Sequence, residues 1–294
     1  MDAVAGTLRG SMWLPVLLVL AQAPDAGALS PALPQADLDG GQGVAVPEPT
    51  TPMRELVSRT TETEWVEQLL DDGKYVRFGT KDSGPVHVWR PRSYKPQTAA
   101  TIIYVHGFYT SVDAAIAGHR LITQFRDSGR NALFIVPEAR SWRTDPVLWP
   151  DLEKLLAAVE KRLKLKRPDG PIVLVGHSGA YRTIVGWLPH EKVNQVLLVD
   201  GLYGNEPDFK TWLDATDAPE KRQLVLVGFD TQQRGEWFAR KHASVQLDTL
   251  PWLYDDLAPP VRQSPVVTVQ SDRFDHMELI TQGRLLPWLL HAFR

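Results

Sequence analysis

Three residue types in this chain have the chemistry to break an acyl bond together. A serine hydroxyl is a poor nucleophile at neutral pH. It needs an imidazole to take its proton and a carboxylate to orient that imidazole. Ser178 stands in Pro171–Thr183, PIVLVGHSGAYRT, between the apolar run Ile172–Val175 and a helix-compatible run, Tyr181–Trp187. His276, in SDRFDHMEL, lies shortly after the last expected strand and precedes a closing helical segment, which suits the base. Two aspartates compete for the third role. Asp200 ends VLLVD and Asp230 follows LVLVGF. Asp200 is preferred, because Gly201, Tyr203 and Gly204 form a turn that can aim its side chain inward, but Asp230 stays open. Asp272 and Asp275 are expected to cap the closing helix instead.

Attack on a carbonyl creates an oxyanion, which needs preorganised donors. One is expected from the backbone N–H of Gly179, at the start of the helix after Ser178, where the helix dipole also helps. The other is expected from the loop after TIIYV, His106-Gly107-Phe108-Tyr109. Gly107 allows a tight turn and the Phe108 N–H can face the substrate. His106 reads as a structural hydrogen-bonding residue.

These residues need elements that deliver them to one place. From Ala99 onward the pattern alternates strand and helix. Strands are expected at Thr101–Val105, Asn131–Val136, the run before Ser178, Val193–Val199, Gln223–Val227 and Pro265–Gln270. Helices are expected at Ala114–Asp127, Asp151–Leu165, Asp208–Ala215, Gln233–His242 and Met277–Phe293. Before them, Lys74–Phe78 and Val86–Arg90 read as an antiparallel hairpin, and Met53–Asp71 as a helix, with Thr61 and Glu64 as a capping box. The expected fold class is α/β, a mostly parallel sheet with helices on both faces and no large lid domain. Such a sheet binds ligands at the carboxyl ends of its strands. His106, Ser178, Asp200, Asp230 and His276 all fall at or just past such ends. Ala243–Ser264 is the largest irregular stretch and could form a small cap.

The turn holding Ser178 must be tight, so Gly176, Gly179 and Ala180 are suitably small. Strand, G-x-S turn and helix form the setting of a nucleophile elbow. With HGF as oxyanion loop, GHSGA as elbow and DHMEL carrying the histidine, the chain resembles the α/β-hydrolase superfamily of serine hydrolases from about Tyr75 to Arg294. It departs from G-x-S-x-G in having Ala180 at the last position. The resemblance implies acyl transfer through an acyl-enzyme, with neither metal nor cofactor. It does not imply a substrate.

Aromatics near the loops, Tyr109, Trp142, Trp149, Tyr203, Trp252 and Tyr254, with Arg140 and Arg143, either line a cleft or pack the loops, and packing is the preferred reading. Arg182, on the helix after Ser178, is expected to brace Asp200 or Glu138.

The remaining composition narrows the setting. A chain of 294 residues with net charge −3 and mixed signs points to neither nucleic acid nor an anionic surface. The absence of cysteine removes disulfides, thiolate metal sites and a cysteine nucleophile. No phosphate-binding glycine motif follows a strand. Residues 1–28 read as a signal peptide, with Arg9, the apolar Met12–Ala21 and small residues at Ala26–Ala28. That apolar run is too short for a stable membrane span, and the expected destination is secreted or periplasmic. Residues 29–52, rich in Pro, Gly and acids, read as a flexible linker, and 53–294 as the catalytic domain. The expected activity is cleavage of a small-molecule or polymer-derived ester, or of an amide. A cofactor-free lyase or haloperoxidase would use the same residues. The alternative from another class is an inactive binding or scaffold protein on the same fold.

Overall fold

The structure is a computed structural model that describes residues 66–70, 72–215, 222–251 and 257–293. The expected signal peptide, the linker and the proposed Thr61 cap lie outside those residues, as do Trp252 and Tyr254.

Ten strands form one sheet: β1 (Val66–Leu70), β2 (Gly73–Phe78), β3 (Val86–Pro91), β4 (Ala100–Val105), β5 (Ala132–Pro137), β6 (Ile172–His177), β7 (Val193–Val199), β8 (Gln223–Gly228), β9 (Ser244–Leu247) and β10 (Val266–Gln270). Their spatial order is β1-β2-β3-β5-β4-β6-β7-β8-β10-β9. Pairs from β5 onward are parallel, and β1, β2 and β3 are antiparallel, with β3 antiparallel to β5. This is the mostly parallel sheet with an N-terminal hairpin that the sequence predicts.

The helices are α1 (Val112–Gly118), α2 (Leu121–Asp127), α3 (Leu152–Leu163), α4 (Tyr181–Trp187), α5 (Glu206–Asp214), α6 (Gln232–Ala239), α7 (Pro259–Gln263), α8 (Glu278–Thr281) and α9 (Leu285–Ala292). They cover both faces, because the pleat of each central strand sends successive side chains to opposite sides. Ile103, Val105 and Leu174 pack with α3, α4, α5 and α6 in one core. Ile102, Tyr104, Val173 and Val175 pack with α1, α2 and α9 in the other. Strands buried on both faces read as unbroken apolar runs, which is why they were legible. Among the described residues no large lid interrupts the core, and no helix is long and apolar enough to cross a membrane.

Four expectations change. The described end of the helix expected over Met53–Asp71 is strand β1, in register with β2 from Val66 opposite Arg77 to Leu70 opposite Gly73. Pairing satisfies the backbone groups that β2 would otherwise leave on an open edge, and this outweighs local helix preference. The helix expected over Ala114–Asp127 breaks into α1 and α2 at Arg120, whose φ is 50°. The closing helix breaks into α8 and α9 at Gly283, φ 73°. Part of the irregular segment Ala243–Ser264 is β9, which extends the sheet beside β10.

Candidate active site

Strand β6 ends in His177, and the chain turns at once through a 3₁₀ turn, Ser178–Ala180, into α4. Ser178 has φ 55°, a left-handed conformation that costs a non-glycine residue free energy and points its side chain away from strand and helix. The fit around it is close. A Cβ on Gly176 would lie 2.5 Å from Ile184 Cδ1 on α4, so a larger residue there would have to displace that side chain. The departure at Ala180 is buried, and a Cβ on Gly176 would crowd its methyl at 3.2 Å, so the alanine fits opposite a glycine.

The loop after β4 reaches the same turn. A Cβ on Gly107 would stand 2.8 Å from Ser178 Cβ, and one on Gly179 would enter the Phe108 ring at 2.6 Å. Gly107 and Phe108 therefore lie directly against Ser178 and Gly179. The Phe108 N–H has no hydrogen-bond partner among the described residues. His106, fully buried, bonds through Nδ1 to Gly107 O and through Nε2 to Glu138 Oε1, each at 2.8 Å. Glu138, at the end of β5, also accepts the Val112 N–H at the start of α1 at 3.1 Å. A buried carboxylate thus ties together three elements beneath the loop. Farther out, Arg77 on β2 grips Asp113 on α1 with two bonds of 2.7 and 2.8 Å. Burial pushes the Asp113 carboxyl up, and the bonds from Arg77 and His87 more than reverse this, holding it well below the usual range.

Asp200 ends β7 with φ 43° and is fully buried. His276 Nδ1 meets Asp200 Oδ2 at 2.7 Å. The same carboxylate accepts the N–H groups of Phe229 (2.9 Å), Asp230 (3.2 Å) and Thr231 (2.8 Å) and the Thr231 hydroxyl (2.8 Å). Burial disfavours its charge, but His276 and these amides outweigh that and lower its pKa to about 2. Asp230 is the more remote acid. Its carboxylate is 4.0 Å from His276 Nδ1 and 55% exposed, and it accepts a long bond from the Tyr203 hydroxyl at 3.5 Å. Asp275 caps α8 by accepting the Met277 and Glu278 N–H groups, as expected, whereas Asp272 accepts the Leu250 N–H instead.

His177 is a site residue that sequence reasoning passed over. Its ring lies 4.7 Å from that of His276, and its Nε2 is 3.0 Å from the His276 carbonyl oxygen. The carbonyl can only accept, so the hydrogen sits on Nε2. Burial, then the nearby His276, lower its pKa to about 3 and keep it neutral. The one available signal was its position, the last residue of a buried strand. Thr231 was missed because a hydroxyl near a strand end is too common to stand out.

Ser178, Gly179, Gly107, Phe108, His276 and Asp200 are thus brought to one end of the sheet. Ser178 Oγ itself makes no hydrogen bond to another described residue. Asp200, Asp230 and His276 could each offer a ligand atom to a cation, all within 4.8 Å of one another. The Asp200 oxygens are already committed to the five hydrogen bonds above.

The surrounding residues need one correction. Arg182 braces neither Asp200 nor Glu138. Its Nε donates to the Tyr181 hydroxyl at 3.0 Å, and its guanidinium lies over the rings of Phe108 and Tyr181. Trp149 is buried in the core, where its backbone carbonyl accepts the Trp187 indole N–H. Tyr109, 64% exposed, stands edge-on against Trp142 at 4.6 Å, and the Tyr203 ring is 6.3 Å from that of His276. Arg140 donates to the Asp145 carbonyl within its own loop.

No protein-family model matches the chain. No curated protein matches it either. Solved structures do. The feruloyl esterase module from Clostridium thermocellum superposes with a TM-score of 0.54 at 11% identity, over 79% of this chain and 96% of that one. An S-formylglutathione hydrolase from Agrobacterium tumefaciens gives 0.46 at 12% identity, over 78% and 99%. An α/β serine hydrolase homologue from Coxiella burnetii gives 0.44 at 17%, over 78% and 95%. At these identities the first likeness shows the fold, and the fold is that of the α/β-hydrolases.

Proposed function

We propose that this protein is a serine hydrolase that cleaves esters through an acyl-enzyme. The observation that carries the reading is the 2.7 Å bond between His276 Nδ1 and the buried Asp200, whose neighbour Gly201 packs against the backbone of Ser178, a serine in strained backbone. With Nδ1–H donated to Asp200, His276 Nε2 keeps its lone pair and is the base. It removes the Ser178 proton as Oγ bonds to the ester carbonyl carbon. The carbonyl π electrons move to the oxygen, and the Phe108 and Gly179 N–H groups take the resulting oxyanion. Collapse of that intermediate breaks the bond to the alcohol oxygen, which receives the proton from Nε2. Water then repeats the sequence on the acyl-Ser178 ester, releasing the acid and restoring the hydroxyl. Asp200 remains ionised and stabilises the imidazolium that forms in each half. The Ser178–His276 hydrogen bond is formed when substrate seats, as catalytic bonds commonly tighten only then. The esterase named among the fold neighbours is consistent with this reading, but the fold serves many chemistries and the argument rests on the site.

The test is labelling with a fluorophosphonate probe, which reacts with activated serines. The wild-type protein should label, and Ser178→Ala should not. An unlabelled, well-folded wild type would overturn the hydrolase reading in favour of a scaffold on this fold.

A further inference from the structure

Among the described residues, one cation beside the candidate nucleophile has no carboxylate partner. Arg182 lies one helical turn beyond Ser178, on α4, and is half-buried. Helical side chains lean toward the helix N-terminus, and this one leans over the turn that holds Ser178. Its guanidinium carbon is 5.7 Å from the centre of the Phe108 ring, which itself rests on Gly179. On its other side the Tyr181 ring is 5.6 Å away.

The neighbouring arginines at this end of the sheet are all occupied. Arg234 pairs with Glu206 at 3.0 Å, Arg273 with Asp272 at 3.4 Å, and Arg140 donates to the Asp145 carbonyl. Arg182 is different: among the described residues it has no carboxylate partner, and its single hydrogen bond is the one from Nε to Tyr181 Oη. That bond fixes the plane of the guanidinium and leaves both Nη groups, a fork whose geometry matches a carboxylate. A partly desolvated cation without a counter-charge is costly to retain, and two aromatic faces offset only part of that cost. An anion arriving with the substrate completes the pairing.

We propose that Arg182 is the anion-recognising residue of the substrate site, and that the protein selects esters bearing a free carboxylate next to an aromatic or apolar group. The apolar part would lie against the half-buried Phe108, with the carboxylate on the Arg182 fork. This rests on the hydrolase reading above for the word ester, though not for the binding of an aromatic carboxylate.

Two arms separate the two ideas. The first uses no catalysis. Benzoate and its neutral isostere benzamide are titrated calorimetrically into the full chain and into Arg182→Gln. Benzoate should bind the wild type at least tenfold more tightly than benzamide, and Arg182→Gln should erase the difference. Equal affinities in the wild type, or a preference that survives the substitution, would overturn the proposal. Arg182→Lys keeps the charge without the fork and should give an intermediate ratio. If the glutamine variant does not fold, the wild-type ratio and its fall to an intermediate value in the lysine variant decide the matter, and an unchanged ratio in the lysine variant overturns the proposal. The second arm compares kcat/KM for 4-acetoxybenzoate and its methyl ester, and for 4-nitrophenyl hydrogen glutarate and its methyl ester. The anionic member should be favoured at least tenfold in one pair, and that ratio should collapse in Arg182→Gln. Discrimination of benzoate without any ester cleavage would sink the hydrolase reading alone. Ester cleavage with neither form of discrimination would sink the anion site alone.

Discussion

At the scale of single residues, Asp200 shows how much a side chain's surroundings determine its use. Two aspartates stand at successive strand ends, and each is within reach of His276 Nδ1, at 2.7 Å for Asp200 and 4.0 Å for Asp230. Only Asp200 is buried and held by three amides and a hydroxyl. A carboxylate so fixed orients the imidazole at no further entropic cost, whereas the exposed Asp230 would first have to be immobilised. Asp200→Asn should therefore lower kcat by about 10⁴-fold, through the wrong imidazole tautomer. Asp230→Asn should stay within about tenfold of wild type, the effect of losing one weak outer contact. Steady-state ester hydrolysis by the two variants checks this, and the reverse order of effects would reassign the acid.

At the scale of elements, the site is the meeting of two loops at the end of β6. The elbow supplies Ser178 and Gly179, and the loop after β4 supplies Gly107 and Phe108. Contact between them is direct, since a Cβ on Gly107 would lie 2.8 Å from Ser178 Cβ. Gly107→Ala must move the loop away from the elbow by several tenths of an ångström or more. Donors and nucleophile displaced on that scale lose about 10²-fold in rate. The expected result is that fall in kcat/KM in a protein that still unfolds cooperatively in a thermal melt. A wild-type rate would show that the Phe108 loop takes no part in catalysis. The glycine itself was readable in the sequence as a turn. Its packing against the serine was not, because the two lie on different strands and meet only when β4 and β6 pair.

At the scale of the whole molecule, buried neutral histidines tie stability to pH. His177 has its pKa lowered from 6.5 to about 3, and His119 from 6.5 to about 4, in both cases chiefly by burial. The unfolded chain therefore binds protons that the folded chain refuses. Stability is fully present above about pH 6.5 and is lost as the pH falls toward 4 and 3. Asp200, lowered from 3.8 to about 2, adds a loss only below pH 3.8. Between pH 7 and pH 4 the histidines contribute on the order of a few kcal/mol, or several degrees in Tm. Circular dichroism melts across that range should show the fall, and His177→Gln, which keeps an N–H donor but cannot titrate, should flatten it. A Tm independent of pH from 7 to 4 would mean that the two rings are not held neutral in the fold.

The sequence by itself determined the strand order along the chain, the hairpin before it and the small residues around Ser178. Each of these is local: strands buried on both faces are apolar without interruption, and a tight turn admits only small side chains. It also brought His106, Ser178, Asp200, Asp230 and His276 to strand ends, which a parallel sheet gathers on one side. Tertiary structure decided what depends on partners distant in the chain. Pairing with β2 made Val66–Leu70 a strand against its helical pattern. The amides after β8 converge on Asp200 and select it over Asp230 as the partner of His276, and only the fold seats His177 under that histidine. Arg182 was legible as a cation on a helix. That it would face two aromatic rings, and no acid among the described residues, depended on how α4 leans over the loop from β4.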